Sequence, residues 1–218
     1  MRFLSPFCLP LAVLLPATVQ AGASLLVDDA GITTANTCQL ESWHRQGHGS
    51  SELTSVPACT FAGTEWSLAL SRHPGQQPAS WAVGIKRPLP LAADSRLQAA
   101  LSAGGERAFA HASASTQTLS LPVSLALDDS RTLHLEAGWQ QARAGSGWQV
   151  GAGFEQHVVE NVSVLGEVLR SANAAYSAQL GLRLQATRWA SIDLLHGQTL
   201  HRTGTRWLGL GLNLTAID

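Results

Sequence analysis

The sequence predicts an all-β protein, an antiparallel up-and-down barrel that crosses a membrane with its strands. Three observations lead there: period-two alternation of apolar and small or polar residues, an N-terminal export signal, and a scarcity of charge. In the last strand-like segment Leu208, Leu210, Leu212 and Leu214 fall on one side, and Trp207, Gly209, Gly211 and Asn213 on the other. The same rhythm recurs through most of the second half of the chain. Only 13% of residues are charged, with Lys86 the single lysine, against about 25% in ordinary soluble domains. That is too little charge to coat a soluble domain of this size.

The N-terminal stretch Met1 to Ala21 has Arg2 at its positive end, an apolar run from Leu9 to Leu15, and Val19-Gln20-Ala21 before Gly22. This is the pattern of a secretory signal, with small residues where the peptidase reads. The run is too short to span a bilayer as a helix, so residues 1–21 stand outside the fold. No later stretch offers the roughly 18 consecutive apolar residues of a transmembrane helix. A net charge of −1 gives no nucleic-acid signature.

After the signal, residues 22–37 show no alternation and form an irregular segment; residues 38–218 form the barrel as one domain. The strand-like stretches are Cys38 to Arg45, Phe61 to Arg72, Ala79 to Leu89, Ser95 to Ala103, Glu106 to Ala114 and Thr118 to Leu127. Six more run Arg131 to Ala142, Gly147 to His157, Asn161 to Arg170, Ala175 to Ala186, Trp189 to Gly197 and Thr205 to Ala216. Most approach the roughly 9–11 residues that a tilted strand needs to cross a bilayer.

Asp128-Asp129-Ser130, Val159-Glu160 and Thr187-Arg188 are tight turns that fall at every second connection. In outer-membrane barrels the short turns face the periplasm, which makes Thr118 to Leu127 a descending strand. Counting forward from an ascending first strand, Gln46 to Ala58 becomes the first external loop and Ala79 to Leu89 an ascending strand. Parity then leaves two arrangements for Ser95 to Ala114. A hairpin turning at Gly104-Gly105 gives twelve strands, the favoured count, and an external loop gives ten.

The composition of the polar face separates a membrane barrel from a soluble sandwich, since both alternate. The apolar set includes Trp66, Leu68, Leu70, Val150, Phe154 and Leu180. The opposite set mixes glycine and serine with isolated Glu, Gln and Arg, which suits a narrow lumen where small residues leave room for a few hydrogen-bonded charges. Trp66, Trp81, Trp139, Trp148, Trp189 and Trp207 lie near strand ends, where amphipathic rings favour the headgroup zone. Strict alternation turns Trp189 and Trp207 inward.

Of the three cysteines, Cys8 leaves with the signal, and Cys38 and Cys59 are expected to pair in the oxidising periplasm. Closing the loop between them stabilises on the order of 3 kcal/mol.

The run Leu26-Val27-Asp28-Asp29-Ala30-Gly31-Ile32, followed by Cys38-Gln39-Leu40-Glu41-Ser42-Trp43, resembles the start of a group of Gram-negative outer-membrane proteins. These carry a "TDD" segment and then a first strand with Glu near an aromatic; they include barrels related to the phenol meta-pathway family of transporters. Val27 stands where Thr is usual. The resemblance implies an outer-membrane barrel and brings no catalytic residues and no substrate. Such barrels commonly end on an aromatic residue read by the assembly machinery, whereas this chain ends Thr215-Ala216-Ile217-Asp218.

Inside the expected lumen His134 and Glu136 are two apart on one strand, and Glu155 and His157 two apart on the next. These four could meet, with Glu65, Lys86, Glu167 and Arg183 elsewhere in the interior. Two readings stay open: a polar path for a small solute, proton or divalent ion, or an internal network of ion pairs and hydrogen bonds that fills the barrel, which is favoured because buried charges need partners. His44, His48, His196 and His201 read as polar loop residues. No GxSxG occurs, and a pairing such as Ser124 with His134 rests on spacing alone.

The expectation is therefore a monomeric outer-membrane barrel without catalytic, metal or cofactor site, surrounded by outer-membrane lipid and delivered by the barrel-assembly machinery. It is a narrow pore for small solutes or a structural envelope protein. The competing class is a soluble periplasmic β-protein that binds a ligand or partner.

Overall fold

The computed structural model describes residues 24–74, 77–91, 96–109, 115–200 and 204–217. Twelve antiparallel strands close into a barrel, each paired with its neighbours in sequence and the first with the last. They are β1 (Cys38–Gly47), β2 (Ser50–Phe61), β3 (Thr64–His73), β4 (Gln77–Pro88), β5 (Leu97–Ala108) and β6 (Ser115–Asp128). The second half comprises β7 (Arg131–Ala142), β8 (Gly145–Val159), β9 (Val162–Arg170), β10 (Tyr176–Thr187), β11 (Ala190–Thr199) and β12 (Arg206–Ile217). Closure runs from Leu40 opposite Leu214 to Gly47 opposite Trp207. It leaves the sheet without an exposed edge, the arrangement a strand-built membrane protein requires.

The count of twelve agrees with the favoured reading, but two strands arise differently. Gly104-Gly105 is not a turn: β5 is continuous, and these glycines sit mid-strand opposite Gly84 and Val83 of β4 and Thr118 and Gln117 of β6. Residues 46–58 are not a loop: most of them build β2, which pairs with β1 along its whole length. The β1–β2 connection shrinks to residues 48–49, with Gly49 at φ 74° in the left-handed region that glycine tolerates. Ala79 to Leu89, mostly within β4, consequently runs antiparallel to β1 rather than in its direction, while Thr118 to Leu127, within β6, runs antiparallel to β1 as expected.

The alternation settles which residues point where. Leu180 is 68% exposed, Leu208 60% and Leu210 55%, while Glu155 is 3% and Asp193 0% exposed. The outer face is thus an apolar belt and the lumen holds the buried polar residues. Trp139 and Trp148 meet edge-to-face on the outside, ring centroids 5.3 Å apart. Trp189 departs from strict alternation: it sits in the β10–β11 turn, exposed. Trp207 does turn inward, donating its indole N–H to Gln179 at 3.0 Å. Cys38 and Cys59 face each other across β1–β2 and form a disulfide, Cα atoms 4.0 Å apart.

Candidate functional site

The irregular segment before β1 does not lie outside the barrel. From Ser24 to Thr33 it crosses the lumen as a strap, with Ser24, Val27, Asp29, Ala30 and Thr33 all buried. An unpaired main chain inside a barrel leaves amide N–H groups that must find acceptors. The wall supplies them as carboxylates. Leu26 N–H donates to both oxygens of Glu167 on β9 (3.0 and 3.1 Å), and Val27 N–H to the same carboxylate at 3.0 Å. Asp28 N–H donates to Glu136 on β7 (3.1 Å), and Thr33 N–H to Glu65 on β3 (2.7 Å). Ala30 N–H donates to Ser124 Oγ on β6 at 3.0 Å.

Charge flows the other way once. Lys86 on β4 stands opposite Glu65 in the β3–β4 register, yet its ammonium reaches Asp28 at 2.6 Å and Asp29 at 3.5 Å. The strap therefore takes the wall's lysine and hands its amides to the wall's glutamates.

Glycine makes the approach possible. A Cβ added at Gly151 of β8 would lie 2.8 Å from Val27 Cγ2, and one at Gly211 of β12 would lie 2.8 Å from Ser24 Oγ. Gly151 faces Glu136 on one side and Gly153 faces Glu167 on the other, so the two acceptors flank a bare strip of backbone on which the strap lies.

A second group occupies β10 to β12. Arg183 and Asp193, directly opposite in register, form a two-pronged ion pair at 2.7 and 2.9 Å, and Arg183 also approaches Glu155 at 3.4 Å. Asn213 and Ser24 complete the Asp193 carboxylate at 3.1 and 2.8 Å. Pairing and hydrogen bonding on this scale is what lets buried charges persist.

All eight polar residues expected in the lumen lie on inward positions, but His134, Glu136, Glu155 and His157 do not converge. Glu136 accepts from Gln149 (2.6 Å), Glu155 turns to Arg183, and His157 Nδ1 bonds Ser163 Oγ at 2.8 Å. His134 Nδ1 bonds Ser124 Oγ at 2.9 Å. That oxygen also accepts the Ala30 amide, and His134 Nε2 is buried without a hydrogen-bond partner. Ser124 and His134 thus do meet, beneath the strap on the inner wall. Among the described residues no group of three or more His, Cys, Asp or Glu could hold a metal ion. The sequence pattern places Gln149, Gln179 and Asn213 on the polar face without giving them a part in the network, and it misses Asp193 and the strap itself.

Between the strap and the barrel wall remains a cavity of about 390 Å3, bordered by Gln39, Glu41, Glu65, Lys86, Ser102 and Glu136.

The family model described as "Uncharacterised conserved protein UCP029691" matches residues 10–216. The chain belongs to this family. No curated protein matches it. Among solved structures, the KdgM porin is similar with a TM-score of 0.68 at 12% identity, covering 81% of this chain and 98% of the porin. The NanC porin gives 0.63 at 8% identity, covering 82% and 99%. Outer membrane phospholipase A from Escherichia coli gives 0.53 at 7% identity, covering 84% and 91%. At these identities the likeness is one of fold, and this member of the family has the fold of outer-membrane porin barrels.

Proposed function

We propose that the protein is an outer-membrane β-barrel that passes small solutes through a narrow lumen whose opening is controlled by its own N-terminal strap. The observation that carries this reading is the strap, held by hydrogen bonds from Leu26, Val27, Asp28, Ala30 and Thr33 and leaving a cavity beside it. The export signal and the apolar belt support the location. A soluble protein would expose to water the outer rows of every strand, Leu180, Leu182, Leu208 and Leu210 among them, and large contiguous apolar surfaces are rare on soluble monomers. A hydrolase finds little support, since Ser124 and His134 are buried and Ser124 Oγ is occupied by the Ala30 amide. KdgM has been solved in complex with disordered oligogalacturonate. A lumen lined by Glu65, Glu136, Glu155, Glu167 and Asp193 argues against a polyanion of that kind as the solute here.

The test locks the strap in place. The Cβ built at Gly153 lies 3.6 Å from Val27 Cβ, inside the roughly 3.5–4.5 Å span of a disulfide. The double variant Val27→Cys with Gly153→Cys is reconstituted in a planar bilayer, oxidised and then reduced, with Val27→Cys alone controlling for the native disulfide. Current that rises on reduction in the double variant only is the expected result. Equal current in both states, or silence in both, overturns the reading.

A further inference from the structure

We infer that Glu136 and Glu167 are the specificity-determining residues of the lumen, and that they select small cations bearing N–H donors, ammonium or guanidinium in character, over anions. This rests on the reading of the barrel as a pore with a movable strap.

The carboxylates that hold the strap change partners when the strap leaves. With the strap in, Glu167 accepts the amides of Leu26 and Val27 and the side-chain amide of Gln179 at 2.9 Å. Glu136 accepts the amide of Asp28 and the side-chain amide of Gln149. All of these donors are neutral N–H groups. The ion pairs of the lumen run elsewhere: Arg183 to Asp193 and Glu155, Lys86 to Asp28 and Asp29.

Displacing the strap removes Asp28 and Asp29 from Lys86, whose ammonium then has Glu65 directly across the β3–β4 register. Lys86 compensates Glu65. The Arg183–Asp193 pair belongs wholly to the wall and persists. Glu136 and Glu167 lose their main-chain donors and keep Gln149 and Gln179 as hydrogen-bond donors, while Lys86 and Arg183 act on them only at longer range through charge. The two glutamates face the pore on both sides of Gly151 and Gly153, which offer no side chain to screen them.

A carboxylate stripped of N–H donors in a narrow lumen is satisfied by a solute that brings such donors and positive charge. Fixed charge of one sign in a low-dielectric channel also concentrates the opposite ion. The strap, in this view, occupies the acceptors with the same chemistry as the solute.

The full mature chain in a planar bilayer under a KCl gradient provides the test. Reversal potential reports selectivity independently of how often the strap opens, so a substitution that also loosens the strap does not confound it. The expected result is a potential on the K+ side, moved toward zero by Glu136→Gln or Glu167→Gln and further by both together. Spermidine added to the bath should reduce the current of the unsubstituted chain and have a several-fold weaker effect on the double variant. Heat-modifiable gel migration checks that each variant is folded, and either single variant suffices if the double one is not. A Cl− preference, or a potential that neither single variant moves, overturns the inference while leaving the pore intact. Silence under every condition overturns the pore reading and the inference with it.

Discussion

Gly151 of β8 is the floor on which Val27 of the strap rests: a Cβ there would sit 2.8 Å from Val27 Cγ2 and 3.0 Å from Leu169 Cδ1. Real Cβ atoms do not tolerate the first of these distances, and of the two neighbours the strap is held by hydrogen bonds and the Lys86 ion pairs, outside any strand ladder, whereas Leu169 is anchored in β9. The strap should therefore yield. Gly151→Ala is expected to leave the barrel closed and to weaken strap docking by about 1–3 kcal/mol, the usual cost of overpacking. Hydrogen exchange at the Leu26 and Val27 amides should accelerate by roughly ten-fold or more, since about 1.4 kcal/mol corresponds to ten-fold in an equilibrium. Unchanged exchange at those amides would show that the glycine has no part in seating the strap.

The glycines show where the sequence was legible and where it was not. The alternation in RWLGLGLNL and its counterparts correctly assigned the apolar face to the outside and Glu65, Lys86, Glu136, Glu155, Glu167 and Arg183 to the lumen, because a strand has only two faces and the period marks them. By composition alone, Gly151 and Gly211 make room for charged side chains. In the structure they make room for a main chain instead. Nothing periodic announces the strap, since Leu26, Val27 and Asp28 are held through their backbone amides and any residue type but proline supplies one.

Two strands differ from the sequence expectation in opposite ways and for one reason: β2 lacks an apolar face, and β5 runs on where a turn is expected. In β2, Ser51 and Ser55 stand on the outer face with Leu53, and Glu52 and Thr54 on the inner, so no apolar side stands out. In β5, Gly104-Gly105 carries a turn signal that pairing on both flanks overrides. Local composition loses to the ladder in both places.

The buried pair Arg183–Asp193 should matter far more to stability than the half-exposed pair Arg45–Glu52. Asp193 is fully buried and Arg183 holds it with two short bonds. Asp193→Ala removes both short bonds from a buried guanidinium whose approach to Glu155 is longer, at 3.4 Å. Breaking such a pair costs about 3–5 kcal/mol. Arg45 and Glu52 lie 3.7 Å apart with a quarter of each side chain exposed, and exposed pairs contribute about 0–1 kcal/mol. Urea unfolding in detergent micelles should show a large drop in midpoint for Asp193→Ala and a small one for Glu52→Ala. A reversed order would mean that the Arg183 cluster is not what holds β10 to β11.

The disulfide sits where the strap leaves the barrel, which gives its removal a local signature. Thr60 follows Cys59; its carbonyl accepts the Asn36 amide at 3.0 Å and its own amide donates to Thr37 at 3.1 Å. Its hydroxyl lies 2.6 Å from that of Thr33. Cys38–Cys59 thus fixes the end of β2 against the start of β1 at the residue that anchors the strap's exit. Loop closure between residues separated by 21 positions stabilises on the order of 3 kcal/mol. Cys38→Ser with Cys59→Ser should lower the unfolding midpoint accordingly. The two bonds at Thr60 should open before anything deeper does, because Leu26 and Val27 are held by Glu167 on the far wall. Exchange at the Asn36 and Thr60 amides is therefore expected to rise strongly while Leu26 and Val27 stay protected. If all four amides accelerate together, the strap is released as a unit from its exit, and the wall carboxylates are not what retains it.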